Sequence, residues 1–587
     1  MGKQGVMMAT SIDGATLPND ICNIFSKKYK NLYHSNPTDD CEMQELEKNI
    51  TKLISSENSK AQCDVTVQQI KTAFSKLNKN KNDGMGKSNS NHYIYASHRF
   101  ICMFSLLVKM MLVHGYTVNE MQMSVIVSIP KDVRGNVNDS DNYRGIALGS
   151  ALCKVVDHWI IGQYSNELCT SNYQFAFKEG HSTIMCTSLL KEVVSYYNSN
   201  NSDVYACLLD ASKAYDRVHF GILFGLLLKR KVPAVIVRFI LDNYKRQKLC
   251  TESNGVVSDP FSTLNGVKQG SILSPILFNI YLDELLIKLR DSDIGCHIGH
   301  RFAGAFAYAD DVTLLSPSLK GLQVMLNICK QYSNDFHMIF NETKTECIRF
   351  GKCANNVLSK VNLGESELSW KKKVKHLGNY LNTSLTDTDD INYKKGGFIQ
   401  SVNKLIAKFG SLQCDVLDQL FNTFCSTFYG SQLWELNTTC IKQFFITWQK
   451  AVRRIWKIPY TSHVRFLKYI TMNNMHISEQ LTCRFLSFYK SLVNSDNSLV
   501  SCIADRSQKY ACGNLAKNCL YIKKTYGIDV NEYSVSYVKR QFRSGGDANE
   551  ASGFFIRELC RIRDGCDTLS GFSVDEINDI IVDVCTC

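Results

Sequence analysis

Asp310 and Asp311 stand side by side in FAYADDVTLL (306–315), where Phe306, Ala307, Tyr308, Val312, Leu314 and Leu315 are all of core-forming type. A carboxylate removed from water either protonates or finds a partner, and in an adjacent pair one pKa is driven upward. VYACLLDAS (204–212) is a second short apolar run, and it ends on Asp210. Carboxylates at the tips of two neighbouring strands suit hard divalent cations, which take oxygen ligands. Two such ions roughly 3.5–4 Å apart can hold both the attacking and the leaving oxygen of a phosphoryl transfer. Taken alone, the Asp-Asp dipeptide would equally cap a surface hairpin, where aspartate is favoured. The rest of the chain has to decide.

The elements that would position these carboxylates can be read coarsely. MSVIVSIPK (123–131) alternates and is β-branched, so it predicts a strand that Pro130 ends. DNYRGIALGSALCKVVDHWI (141–160) reads as a loop running into a helix. SPILFNIYLDELLIKLR (274–290) has helical periodicity, with Ser274 and Pro275 as N-cap and first-turn pair. FAYADDVTLLS reads as two short strands around the Asp pair, followed by a helix over 318–336 and a strand over 346–351. A helix is expected near 65–80 and a loop over 78–91. The order strand, helix, strand pair, helix, strand predicts an α+β fold, a sheet layered by helices on one face.

Composition sets the outer bounds. A chain of 587 residues is too long for one core, so several domains are expected. The balance of 67 Lys+Arg against 55 Asp+Glu suits a polyanionic partner, although many ordinary proteins are as basic. The 24 cysteines include no C-x-x-C pair, which disfavours zinc and points to buried thiols in a reducing compartment; Cys585 and Cys587 read as a frayed end. No signal-peptide core opens the chain, and Gly2 with Ser11 misses the myristoylation spacing. The apolar runs 100–113 and 221–241 are broken by Lys or Arg and read as core helices, so no membrane partner is expected.

Around the aspartates lies a series of motifs in a fixed order. LLDASKAYDRV (208–218), NGVKQGSILSPILFNIYLDEL (265–285), FAYADD, NETKTE (341–346) and VKHLGNYL (374–381) follow one another, preceded by IPK, DNYRGIAL and NYQFAFKEGHSTIMCTSLL (172–190). This series resembles the reverse transcriptase of non-LTR (LINE-type) retrotransposons over about residues 60–470. The resemblance implies a right-hand polymerase of fingers, palm and thumb, with a ferredoxin-like palm sheet and a helical C-terminal region. It divides the chain into a partly helical N-terminal extension (1–95), fingers (96–190), palm (191–390), basic helical thumb (391–475) and a helical region of unknown role (476–587).

The resemblance also assigns roles. Asp210, Asp310 and Asp311 would be catalytic metal ligands for two Mg²⁺ ions, with Mn²⁺ as a substitute, Asp311 being the more peripheral. Lys344 would be the general acid for the leaving pyrophosphate. Lys131 and Arg144 would clamp the triphosphate, Tyr215 would exclude a ribose 2′-hydroxyl, and Gln269 with Gly270 would lie against nucleotide and template. Asp216 would be structural, the 172–190 segment would touch the template, and the hairpin at 374–381 would grip the primer. Gly145 stands where the family usually has Pro, which implies a looser loop, and Ala176 where Gly is common. The implied activity is RNA-directed DNA synthesis from dNTPs on a DNA primer and RNA template, in an intracellular ribonucleoprotein of nucleus or cytoplasm.

Singly, each of these residues has an ordinary structural reading: Lys131 and Arg144 as solvated charges, Tyr215 as core, Gln269 as loop. Their joint order is what argues otherwise. Residues 394–468 carry eleven Lys/Arg against Asp415, Asp418 and Glu435, a fitting thumb, with aromatics better read as helix core than as base-stacking platforms. No nuclease pattern precedes the fingers, which suggests a truncated copy or a nuclease encoded elsewhere. Two rival readings are an inactive nucleic-acid-binding relic and an RNA-dependent RNA polymerase; Tyr215 argues against the latter.

Overall fold

The apolar run ending on Asp210 forms the centre of a five-stranded sheet. Val204–Leu209 pairs antiparallel with Asp311–Ser316 on one side and Glu346–Phe350 on the other. Ala305–Tyr308 lies beyond Asp311–Ser316, and Ser369–Trp370 adds a parallel edge beside Glu346–Phe350. With the intervening helices Ser274–Asp291 and Leu319–Asp335, the chain order is βαββαβ and the spatial order is last, first, third, second. That is the ferredoxin-like arrangement. The computed structural model describes residues 10–56, 64–84, 88–133, 135–351, 359–544, 548–565 and 573–586; residues 85–87 of the expected 78–91 loop, and Gly2 and Cys587, lie outside them.

The sheet is covered on both faces, not one. Strand alternation sends Cys207, Ala307, Leu314 and Cys347 toward helices Ser274–Asp291 and Leu319–Asp335. The intervening residues Ala206, Phe306, Leu315 and Ile348 pack on helix Thr183–Ser199. Continuous apolar strands with no polar side are the sequence mark of such two-sided burial. The core on the second face runs on through helices Thr388–Phe409, Cys414–Phe424 and Thr439–Trp456 into the C-terminal helices. Phe421, Phe444, Trp434, Trp448 and Trp456 are all buried in it, so these aromatics are core.

A second sheet has Met123–Pro130 at its centre, antiparallel to Tyr143–Gly149 and parallel to Lys248–Ser253. The expected loop at 141–149 is therefore a strand. Its hydrogen-bond partners come from across the sheet, and no long local alternation announces it. Gly145 is required here, because a Cβ would come within 2.8 Å of the Tyr29 ring and of Ile126. Helix Pro18–Leu32 covers this sheet with Ile21, Phe25 and Tyr29.

Three further expectations change. Leu273, not Ser274, precedes helix Ser274–Asp291 as its cap, and the Ser274 hydroxyl lies 3.1 Å from that of Tyr244. Helix His98–His114 buries Ile101, Phe104, Val108 and Leu112 but leaves Met103, Leu106 and Met110 at half exposure or more, so only one face is core. Cys585 is fully buried within helix Val574–Thr586. Among the described residues, no helix is long and apolar enough to cross a membrane.

His376 ties three elements together. Its Nδ1 lies 2.9 Å from the Thr187 hydroxyl and its Nε2 3.1 Å from that of Thr313. Burial holds its pKa at about 4, so the ring is neutral in the folded protein. Between pH 6.5 and 4 the unfolded chain binds a proton there that the folded chain refuses, and the stability contributed by the neutral ring falls across that window. His376→Gln is expected to cost stability at pH 7.5, and the gap from wild type is expected to shrink by ~2 kcal/mol at pH 5 in urea unfolding. An unchanged gap would contradict the assignment of a neutral ring.

Candidate active site

Antiparallel register brings the aspartates together. Val312 pairs with Leu209, so Asp311 and Asp210 fall at the same end of adjacent strands. Asp311 also pairs with Tyr308, leaving Ala309 and Asp310 as a two-residue turn. Ala309 takes φ +56°, a conformation that costs a non-glycine residue free energy. The Asp210 backbone is fixed from the other side: Asn341 N–H donates to its carbonyl at 2.7 Å, and its own N–H reaches Thr345 Oγ1 at 3.4 Å.

The carboxylates act on one another. The Asp311 carboxyl is pushed up to about 6, first by the protein packed around it, then by the charges of Asp310 and Asp210. Burial also raises the Asp310 carboxyl; Asp210 adds to this, and the Arg144 guanidinium opposes it. This donor set is all hard oxygen, and its mutual repulsion is what a divalent cation would relieve. Among the described residues, no three acidic, His or Cys side chains lie close enough to form a ready-made metal cage. Mg²⁺ bound through one or two carboxylates plus substrate phosphates needs none. The residues therefore fit a divalent ion bound in that way.

Arg144 acts on Asp310 and Asp311 from the second sheet. Arg144 stands on strand Tyr143–Gly149, opposite Ile129. The Lys131 ammonium donates to the Asp141 carbonyl at 2.9 Å, and its pKa is lowered by burial, then by Lys28, Lys344 and Arg144. Lys131, Arg144 and Lys344 are thus drawn from three separate motifs into one positive field. Lys28 joins them from helix Pro18–Leu32, paired with Asp141 at 2.9 Å. Sequence reading missed it, since a lysine on a polar N-terminal helix carries no local signal.

The Tyr215 ring stacks on Phe278, with centroids 4.5 Å apart, and lies close enough to Asp310 to feel its charge. Asp216 is buried; it accepts from Gln269 Nε2 at 3.4 Å and from the Tyr33 hydroxyl, and burial pushes its carboxyl to about 6. Gln269 also offers its carbonyl to Ala147 N–H at 2.6 Å, joining the two sheets. Gly270 takes φ +115°, and a Cβ there would lie 2.5 Å from the Ala147 carbonyl oxygen.

The 172–190 segment does not lie open as a template surface throughout. Gln174 is fully buried under the aspartate turn, while Phe177 is more than half exposed at φ +57°. The hairpin Lys373–His376/Asn379–Asn382 is held at its Leu377 carbonyl by the Tyr429 hydroxyl, which also meets Thr183 Oγ1 at 2.6 Å.

Residues 129–381 match the family described as reverse transcriptase (RNA-dependent DNA polymerase). The chain is 26% identical over 274 residues to the Pol polyprotein of the type-2 retrotransposable element R2DM of Drosophila melanogaster, covering 45% of this chain and 25% of that one. It is 24% identical over 428 residues to the RNA-directed DNA polymerase from mobile element jockey of Drosophila funebris, covering 68% and 45%. Against the Pol polyprotein of the type-1 element R2 of Popillia japonica, identity is 30% over 192 residues, covering 32% and 26%. Over residues 129–381 the chain is thus similar to reverse transcriptases, and the relatives it matches are Pol polyproteins and RNA-directed DNA polymerases of retrotransposable elements. The chain spans less than half the length of these curated relatives.

Two glycines give the site a direct test. Gly270→Ala is expected to cost about 1–3 kcal/mol, from strained φ and the carbonyl clash. Gly225→Ala, inside helix Phe220–Lys229 with open space around it, is expected to gain ~0.5–1 kcal/mol. Thermal unfolding of the two variants should move in opposite directions.

Proposed function

We propose that this chain is an RNA-directed DNA polymerase that extends a DNA primer 3′-hydroxyl with dNTPs on an RNA template. The observation that carries the reading is the register that brings Asp210 and Asp311 to one strand end, with Asp310 on the turn, Arg144 close enough to act on Asp310 and Asp311, and Lys131 within the field of Arg144 and Lys344. A substrate with several negative charges needs both halves of that arrangement.

Asp210 and Asp310 would hold two Mg²⁺ ions, or Mn²⁺ in their place, with Asp311 at the periphery. Such ions, when bound, lower the primer hydroxyl's pKa and stabilise charge on the departing pyrophosphate. Arg144 and Lys131 neutralise the triphosphate and orient it for in-line attack. Lys344 gives a proton to the leaving pyrophosphate oxygen. Tyr215, backed by Phe278, fills the space a ribose 2′-hydroxyl would need. Gln269, held by Asp216, and Gly270, whose bare backbone permits close approach, line the nucleotide and template side. The basic helices at 391–475 serve as thumb along the template–primer duplex.

Primer extension on an RNA template tests the reading. Asp210→Asn and Asp310→Asn are each expected to lower extension by at least ~10²–10³-fold while RNA binding persists. Wild-type-like extension by either variant would overturn it. Tyr215→Ala is expected to reduce discrimination against rNTPs roughly 10- to 100-fold; unchanged sugar selectivity would remove Tyr215 from the gate.

A further inference from the structure

The aspartate turn is clamped from beneath by a single buried amide. Gln174 Oε1 accepts the Ala309 N–H at 3.0 Å, and Gln174 Nε2 donates to the Ala309 carbonyl at 3.2 Å. One side chain thus engages both faces of the residue that precedes Asp310. The same Oε1 accepts the Ala176 N–H at 3.1 Å, so the amide's orientation is set by its own strand.

The strap that carries Gln174 is itself fixed. Phe175 N–H donates to the Ala307 carbonyl at 2.9 Å, and Ala307 N–H donates to the Tyr173 carbonyl at 2.8 Å, extending the edge of the palm sheet by one residue pair. Helix Ser274–Asp291 anchors both ends of the strap. Asn279 Nδ2 donates to the Ala176 carbonyl at 2.7 Å, and Asp283 accepts the Ser171 N–H at 3.0 Å while pairing with Arg230 at 2.7 Å. Asn279 and Asp283 are one helical turn apart and so share a face.

Ala309 at φ +56° is an unfavourable backbone for alanine, and such conformations persist only where the surroundings over-determine them. Without its two side-chain bonds the turn could relax, and Asp310 and Asp311 would shift together. We propose that Gln174 is a positioning residue for catalysis: its amide holds the Ala309 peptide so that Asp310 presents its carboxylate to the cation shared with Asp210. This assignment rests on the polymerase reading above. It places Gln174 away from the template, whatever exposed neighbours such as Phe177 do.

The test compares Gln174→Met, which keeps the volume and loses the polar bonds, with Phe175→Leu, a core change one residue along the same strap. Single-nucleotide primer extension on an RNA template gives kcat and the dNTP KM, a Mg²⁺ titration gives the half-activating concentration, and thermal unfolding reports stability. For Q174M the expected result is a ~10- to 100-fold fall in kcat, a higher Mg²⁺ requirement, and dNTP KM and RNA binding within about twofold of wild type. F175L is expected to lower the unfolding temperature while keeping kcat. Q174M/A309G is expected to regain part of the lost kcat, since glycine takes the positive φ without strain. Should Q174M not fold, Gln174→Leu, which also loses the polar bonds, takes its place with the same expected fall in kcat. Wild-type kcat and Mg²⁺ dependence in the Gln174 variant, or a kcat loss in F175L matching its own, would overturn the proposal. Failure of the wild type to extend any primer would instead overturn the polymerase reading beneath it.

Discussion

Three like charges are gathered at one end of a sheet, and the protein has to make that gathering tolerable. Burial raises the carboxyls of both Asp310 and Asp311, and the neighbouring carboxylates raise them further. Nothing in the ferredoxin-like frame needs these charges for folding, and apolar residues would cost less there. The surroundings answer the cost in two ways. Arg144 supplies compensating charge from the opposite sheet, and hydrogen bonds from Gln174, Asn341 and Thr345 fix the backbone on both sides of the carboxylates. What remains uncompensated is the capacity to bind a cation.

The rest of the chain docks on the first sheet through helix Thr183–Ser199. Lys191 and Glu192, adjacent and buried on helix Thr183–Ser199, are the pivot. Lys191 pairs with Asp387 at 2.5 Å and donates to the Leu433 carbonyl at 2.8 Å. Asp387 in turn accepts from Glu435 N–H and Asn514 Nδ2. Glu192 accepts from the Ser507 hydroxyl and the Leu515 N–H. Helix Thr183–Ser199, the segment from Asp387 to Glu435 and the C-terminal helices therefore share one buried polar network as well as one apolar core. A buried ion pair adds little net stability, but breaking one partner leaves an uncompensated charge, which makes the docking geometry specific.

The sequence was most informative where function and local pattern coincide. The strand, helix, hairpin, helix, strand order of the first sheet follows from periodicity, and the motifs supply Asp210, Asp310 and Asp311, which the strand register brings to one end. It was least informative where contacts are distant in sequence. The strand Tyr143–Gly149 reads as a loop because its pairing partner, not its own alternation, makes it a strand. Gln174 reads as a template contact because its real partner, Ala309, is 135 positions away. Lys28 and Tyr33 look like surface residues of a polar extension until helix Pro18–Leu32 is laid on the second sheet. The apolar helix at 98–114 reads as core on all sides, yet only one of its faces has a neighbour among the described residues.

Anomalous diffraction at the manganese edge tests the central claim most directly, using crystals of the protein with an RNA template, a dideoxy-terminated DNA primer, a dNTP and Mn²⁺. The account predicts a manganese peak within about 2–2.3 Å of carboxylate oxygens from both Asp210 and Asp310. A ternary complex whose manganese lies elsewhere, or whose Asp210 carboxylate turns away from the Asp310 turn, would contradict it.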